Sequence, residues 1–169
     1  MNSTRRSYEA NVLVVPLGAD AVRTQEAFAD RGLDRVMTVH GVAELGSTDR
    51  ADIRLACAPL HRDGWRPSAT GLDVDALVDG ADMVVLLASD LAEVPPTLCH
   101  AVADAARAQG LLIAALIVGS ENWDTPRGNT AMAALREAAD MLVVVRGVAL
   151  AAPFLDVLRG GAREPVAAP

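Results

Sequence analysis

Three nearly unbroken apolar runs, each followed by one segment of helical length, dominate residues 81–145. They are Ala81 to Ala88 (ADMVVLLA), Leu111 to Val118 (LLIAALIV) and Met141 to Val145 (MLVVV). Runs this short that do not alternate with polar residues read as strands covered on both faces. Between the first two, Pro95-Pro96-Thr97 opens a helix, because a proline at the first turn gives up an N–H that has no helical acceptor. Leu98 to Gln109 continues it and Gly110 is a natural stop. A polar loop, Gly119 to Asn129, leads to a second helix near Thr130–Ala138. Strands joined by single crossover helices run parallel. The expected fold class is therefore α/β: an open, mostly parallel, Rossmann-like sheet with helices on both faces.

The remainder of the chain fits one such domain over residues 11–159, with a loose arm at 1–10 and a disordered tail at 160–169. Asn11 to Pro16 is a first strand, Leu17-Gly18-Ala19-Asp20 a turn, and Ala21 to Arg31 a helix ended by Gly32. Val36 to His40 and Ile53 to Ala58 are further strands, joined by a partly helical connection over Gly41–Asp49. Pro59 to Gly71 is a loop, Asp73 to Val78 a short helix, and Pro153 to Leu158 a weak terminal helix.

Charge and composition exclude several partners. The net charge of −7 argues against nucleic acid or an anionic membrane surface. No apolar run has the length of a membrane span, and no hydrophobic segment follows Arg5-Arg6 as in a signal peptide. Cys57 and Cys99 stand far apart without a nearby His-Cys cluster, which reads as two structural thiols in a cytoplasmic protein. All 15 basic residues are arginine, so there is no phosphate-loop or Schiff-base lysine.

Ligands of open parallel sheets lie beyond the carboxyl ends of the strands. Three loops meet there: Pro16–Asp20, Ser89–Thr97 and Gly119–Asn129. Their candidate cleft residues are Gly18, Asp20, Ser89, Asp90, Glu93, Thr97, Glu121, Asn122 and Arg127. A phosphate cradle needs glycines and free N–H groups. The first loop has only Gly18, and the second has Pro95 and Pro96, which have no N–H to donate. Asp20, Asp90, Glu93, Glu121 and Asp124 add negative charge where a phosphate would lie, against the single Arg127.

The residues also carry a resemblance. Ala81-Asp82-Met83-Val84, the helix ending Ala108-Gln109-Gly110, the strand Leu111–Val118 and the run Leu135–Val145 (LREAADMLVVV) resemble the GTPase domain of the tubulin/FtsZ family. Gly18 and Arg31-Gly32-Leu33 fall where the family's first loop and "AGL" turn stand, so the likeness spans roughly Asn11 to Val157. It implies the family's fold without its activity. Leu91 to Thr97 (LAEVPPT) replaces the glycine-rich signature loop, and the second domain that supplies the family's catalytic acid is not expected on this reading. No catalytic residue, metal or cofactor is expected on this reading.

Other residues have plain readings. His40, His61 and His100 lack metal-ligand spacing. Ser89 lacks the small neighbours of a nucleophile elbow. Asp90 and Glu93 read as a solvated rim before they read as an acid/base pair or cation ligands. Trp65 and Trp123 are loop residues, each either a lid over the core or a contact for a partner. Phe154, Leu155 and Leu158, with Trp123, suggest an apolar patch for a protein partner or a second copy. The expected function is a non-catalytic FtsZ-like accessory or small subunit acting through protein–protein contacts. The alternative is a small-ligand binder or enzyme using the cleft, and residual guanine-nucleotide binding is a third.

Overall fold

The computed structural model describes residues 9–42 and 50–160, with Ser120 described by its backbone alone. The arm at 1–8, most of the 41–49 connection and the tail at 161–169 lie outside the described residues. Seven strands form one sheet: β1 (Val12–Pro16), β2 (Val36–His40), β3 (Leu55–Pro59), β4 (Ala69–Leu72), β5 (Met83–Asp90), β6 (Leu112–Glu121) and β7 (Met141–Val145). The helices are α1 (Ala19–Ala29), α2 (Val74–Val78), α3 (Pro96–Ala108), α4 (Pro126–Ala138) and α5 (Val148–Leu158). Strand order is β4-β3-β2-β1-β5-β6-β7. This is an open, mostly parallel α/β sheet.

Parallel pairing joins β2, β1, β5, β6 and β7, and only β3 runs against its neighbours. The chain leaves β1 for β2 on one side and later enters β5 on the other. That reversal opens a crevice at the carboxyl ends of β1 and β5.

Two apolar layers hold the sheet. One face meets α2, α3 and α4 through Leu13, Val15, Val84, Leu86, Ile113 and Ile117. The other meets α1 and α5 through Val12, Val14, Val85, Leu87, Leu116 and Val118. Alternate residues of β1 and β5 thus serve opposite layers, which explains runs with no polar face. Much of the helical surface that closes on them is alanine, with Ala101, Ala103, Ala105 and Ala106 of α3 all buried. Small side chains let the helix lie close to the strands.

Several sequence expectations need correction. Residues 59–71, read as a loop, run into β4, whose Ala-Thr-Gly-Leu sequence has little strand propensity and depends on pairing with β3. β6 continues to Glu121 instead of ending at Val118, and Glu121 aligns with Asp90. α4 starts at Pro126, ahead of Thr130, because the Thr125 hydroxyl accepts from the Gly128 N–H at 3.0 Å and Pro126 takes the first helical position. The terminal helix begins at Val148, five residues before the expected Pro153. Pro153 lies inside it and faces out, while Ala151, Ala152 and Leu155 are buried against the sheet. Packing offsets the hydrogen bond that the proline cannot make.

Trp65 is a lid over the core. Its indole N–H donates to the Val12 carbonyl at 3.0 Å, and the ring packs beside Gly80, where a Cβ would sit 3.2 Å from it. Arg66 lies over that ring at 5.1 Å and donates to Cys57 Sγ at 2.9 Å and to the Ala76 and Asp79 carbonyls. One guanidinium thereby ties the β3–β4 loop to the end of α2.

Candidate functional site

The crevice is built from three chain turns. β1 ends in Leu17-Gly18, β5 in a 3-10 turn over Leu91–Glu93, and β6 in the loop from Asn122 to Thr125. Because the three strands are parallel, their turns gather on one edge of the sheet.

Gly18 caps α1 with φ 105°, a backbone conformation for which glycine is suited. The cap has no side-chain acceptor of its own. Glu93 supplies one from across the crevice: its Oε2 accepts from the Asp20 N–H at 2.8 Å. A Cβ on Gly18 would lie 2.5 Å from Glu93 Cβ and 2.8 Å from Glu93 Oε2. The carboxylate therefore rests on the positive end of α1, the place where a bound anion would be held. Asp20 itself turns away, pairing with Arg23 at 2.9 Å.

A second knot closes the other side. Asp90 Oδ1 accepts from the Ala92 N–H at 2.9 Å and from Asn122 Nδ2 at 2.6 Å. Asn122 stands at φ 60°, one of two described non-glycine residues at positive φ. Its carbonyl accepts from the Thr125 hydroxyl at 2.8 Å. Gly128 passes so close that a Cβ there would collide with that carbonyl. Asp90, Asn122, Thr125 and Gly128 form one satisfied network that fixes where α4 begins.

The candidate residues thus meet as two clusters. Gly18, Asp20 and Glu93 form the first, and Asp90 with Asn122 the second. Ser89 is separated from both: it is buried and shares a 2.7 Å hydrogen bond with Thr24 of α1 beneath the crevice. Its hydroxyl is a packing group. Thr97 is exposed on the first turn of α3, and Glu121 is exposed at the end of β6.

Beside the first cluster two adjoining cavities, each of about 380 Å³, share Ala92 and Arg127. One is mainly apolar, with Val94, Pro96, Pro126 and Thr130; the other includes Gly18, Ala19, Val42, Glu93 and Pro95. Arg127 is exposed and makes no hydrogen bond or ion pair among the described residues.

The expected apolar patch is only partly present. Trp123 is 38 % exposed on the β6–α4 loop, but Leu155 is fully buried, and Phe154 and Leu158 pack against the α1/α5 layer. The missed signal is helical spacing: Ala151, Ala152 and Leu155 share one face of a helix that starts before Pro153. Of the cysteines, Cys99 is fully buried and burial pushes its thiol up to about 12. Among the described residues, no three His, Cys, Asp or Glu side chains are grouped to hold a metal. His100 lies 3.8 Å from Glu137 on the helical surface, away from the crevice. No helix is long and apolar enough to cross a membrane among the described residues.

Placed beside known proteins, the chain matches no protein-family model and no curated protein.

Proposed function

We propose that the chain is a non-catalytic domain of the tubulin/FtsZ type, acting through contacts with protein. The observation that carries this reading is the Glu93 carboxylate on the Asp20 N–H, with Gly18 pressed against it. A phosphate at the head of α1 would have to displace this carboxylate or lie against its charge. Pro95 and Pro96 give no N–H to a second phosphate, and Arg127 is the single basic side chain lining the cavity beside Gly18 and Glu93. The domain keeps the crevice of a nucleotide fold and fills its anion seat from within. A stable α/β scaffold whose anion seat is internally filled suits an accessory subunit better than a turnover site.

Titration calorimetry of the full chain with GTP and GDP, with magnesium, tests this. No heat of binding at micromolar nucleotide is expected. Micromolar affinity for either nucleotide would overturn the reading.

A second reading rests on Arg127. Its guanidinium has no partner among the described residues and borders an apolar cavity of about 380 Å³. Such a cavity suits a small apolar molecule bearing one carboxylate. Thermal shifts with short-chain fatty or aromatic acids, lost in Arg127→Ala, would favour it over the protein-contact reading.

A further inference from the structure

We infer that β7 is the interface of a homodimer in which two copies pair antiparallel, edge to edge, about Val143. This inference deepens the protein-contact reading above by naming a partner, a second copy of this chain, and the surface it uses.

The two edges of the sheet are treated differently. β4 is four residues long, includes Thr70 and Gly71, and joins β3 through an irregular register. Those are ordinary protections of an edge strand. β7 is one residue longer and lacks the glycine and the irregular register. It is Met-Leu-Val-Val-Val, without charge, proline or glycine, in regular register with β6 from Met141 to Val145. Met141 remains 39 % and Val144 46 % exposed. An uncharged edge of this kind is a template for strand pairing.

The flanking charges identify the occupant. Asp140 precedes the strand and Arg146 follows it. Antiparallel pairing centred on Val143 sets Asp140 of each copy opposite Arg146 of the other. Met141 then faces Val145, and Leu142 faces Val144. Opposed residues of an antiparallel pair project to the same face of the sheet. The strand is thus self-complementary in sequence and in charge, as a two-fold interface requires. Arg146 is exposed and has no partner among the described residues. Asp140 already accepts from the Ile113 N–H at 2.9 Å, and a carboxylate has lone pairs left for a guanidinium. Five-residue pairing alone buries little surface, so α5, which packs on β7, would be carried into contact with its counterpart.

Sedimentation of the full chain at increasing concentration reads the mass directly. A species of twice 17.6 kDa is expected. Arg146→Glu, which turns the terminal pairs repulsive without touching the core, should weaken association roughly tenfold or more. Register is read separately. Residues opposed across such a two-fold have Cα atoms about 4.5–5.5 Å apart, within disulfide range. Val143→Cys should therefore give a covalent dimer on mild oxidation, the native cysteines being buried. A wild-type monomer at high concentration would overturn the inference, as would a dimer indifferent to Arg146→Glu and uncrosslinked by Val143→Cys. A monomer that also fails to bind nucleotide removes this interface and leaves the non-catalytic reading standing. A β7 dimer that binds GTP does the reverse.

Discussion

Glu93 of the β5–α3 turn places its carboxylate 2.8 Å from the backbone N–H of Asp20, seventy-three residues earlier in the chain, at the first turn of α1. This contact does two jobs at once. It satisfies an N–H that the glycine cap leaves open, and it puts a negative charge at the positive end of the helix. The capping of the helix and the charge at its end then depend on one side chain.

Removing that side chain separates the two roles. Glu93→Ala should cost about 1 kcal/mol of stability, the usual worth of a cap. It should also open the seat, so that millimolar inorganic phosphate raises the melting temperature of the variant and leaves the wild type unchanged. Equal phosphate responses in both proteins would mean that Glu93 is a cap and nothing more.

Gly128 makes a sharper structural prediction. The space for its Cβ is taken by the Asn122 carbonyl, backbone that cannot swing aside like a side chain. Gly128→Ala must push the start of α4 away from the Asn122 turn and loosen the 2.6 Å bond between Asn122 and Asp90. In an open helix the same change would stabilise by a few tenths to about 1 kcal/mol. Here a loss of about 2 kcal/mol is expected in urea melts. A neutral or stabilised variant would show that the α4 cap is not rigid.

Leu155 decides what α5 is for. Its side chain is fully buried with Ala151 and Ala152 against the sheet. Leu155→Glu should therefore unfold the domain, at a cost of about 4 kcal/mol or more, in place of dissociating a complex. Val157, 71 % exposed on the same helix, should accept glutamate within about 0.5 kcal/mol. Circular dichroism melts of the two variants separate core from surface.

The strands were legible because burial on both faces leaves an apolar run that few other structures produce. Met141–Val145 is found where the sequence places it, although as an edge strand it is only partly covered and not buried on both faces as its apolar run suggests. β4 was not legible, since Ala69–Leu72 becomes a strand only by pairing with β3, and tertiary pairing leaves no local pattern. The start of α4 carried a readable signal in Thr125-Pro126, a cap followed by a first-turn proline. α5 was obscured by Pro153, which reads locally as a helix start but is tolerated within a helix whose other face is packed. The same limit applies to the crevice. Its loops followed from strand direction, and its acidic character from composition. Which acid turns inward did not, because the Glu93–Asp20 bond joins distant segments and depends on Gly18 having no Cβ.

Cys99 gives the domain an alkaline weakness whose sign follows from burial. The folded thiol is pushed up to about 12, from an ordinary value of 9.0, because the thiolate would lie in an apolar layer. Below pH 9 the thiol is protonated in both folded and unfolded chains and has no effect on their balance. Above pH 9 the unfolded chain releases its proton while the folded chain keeps it. The unfolded state then binds fewer protons, and stability falls with a slope approaching about 1.4 kcal/mol per pH unit until the folded thiol itself ionises. The window holds few other groups, since the chain has no lysine, a single tyrosine and one further cysteine. Urea melts between pH 8 and 10.5 should show this decline in the wild type and a shallower one in Cys99→Ala, which starts less stable because a buried side chain is truncated. Parallel slopes would mean that Cys99 does not titrate on unfolding as its burial requires.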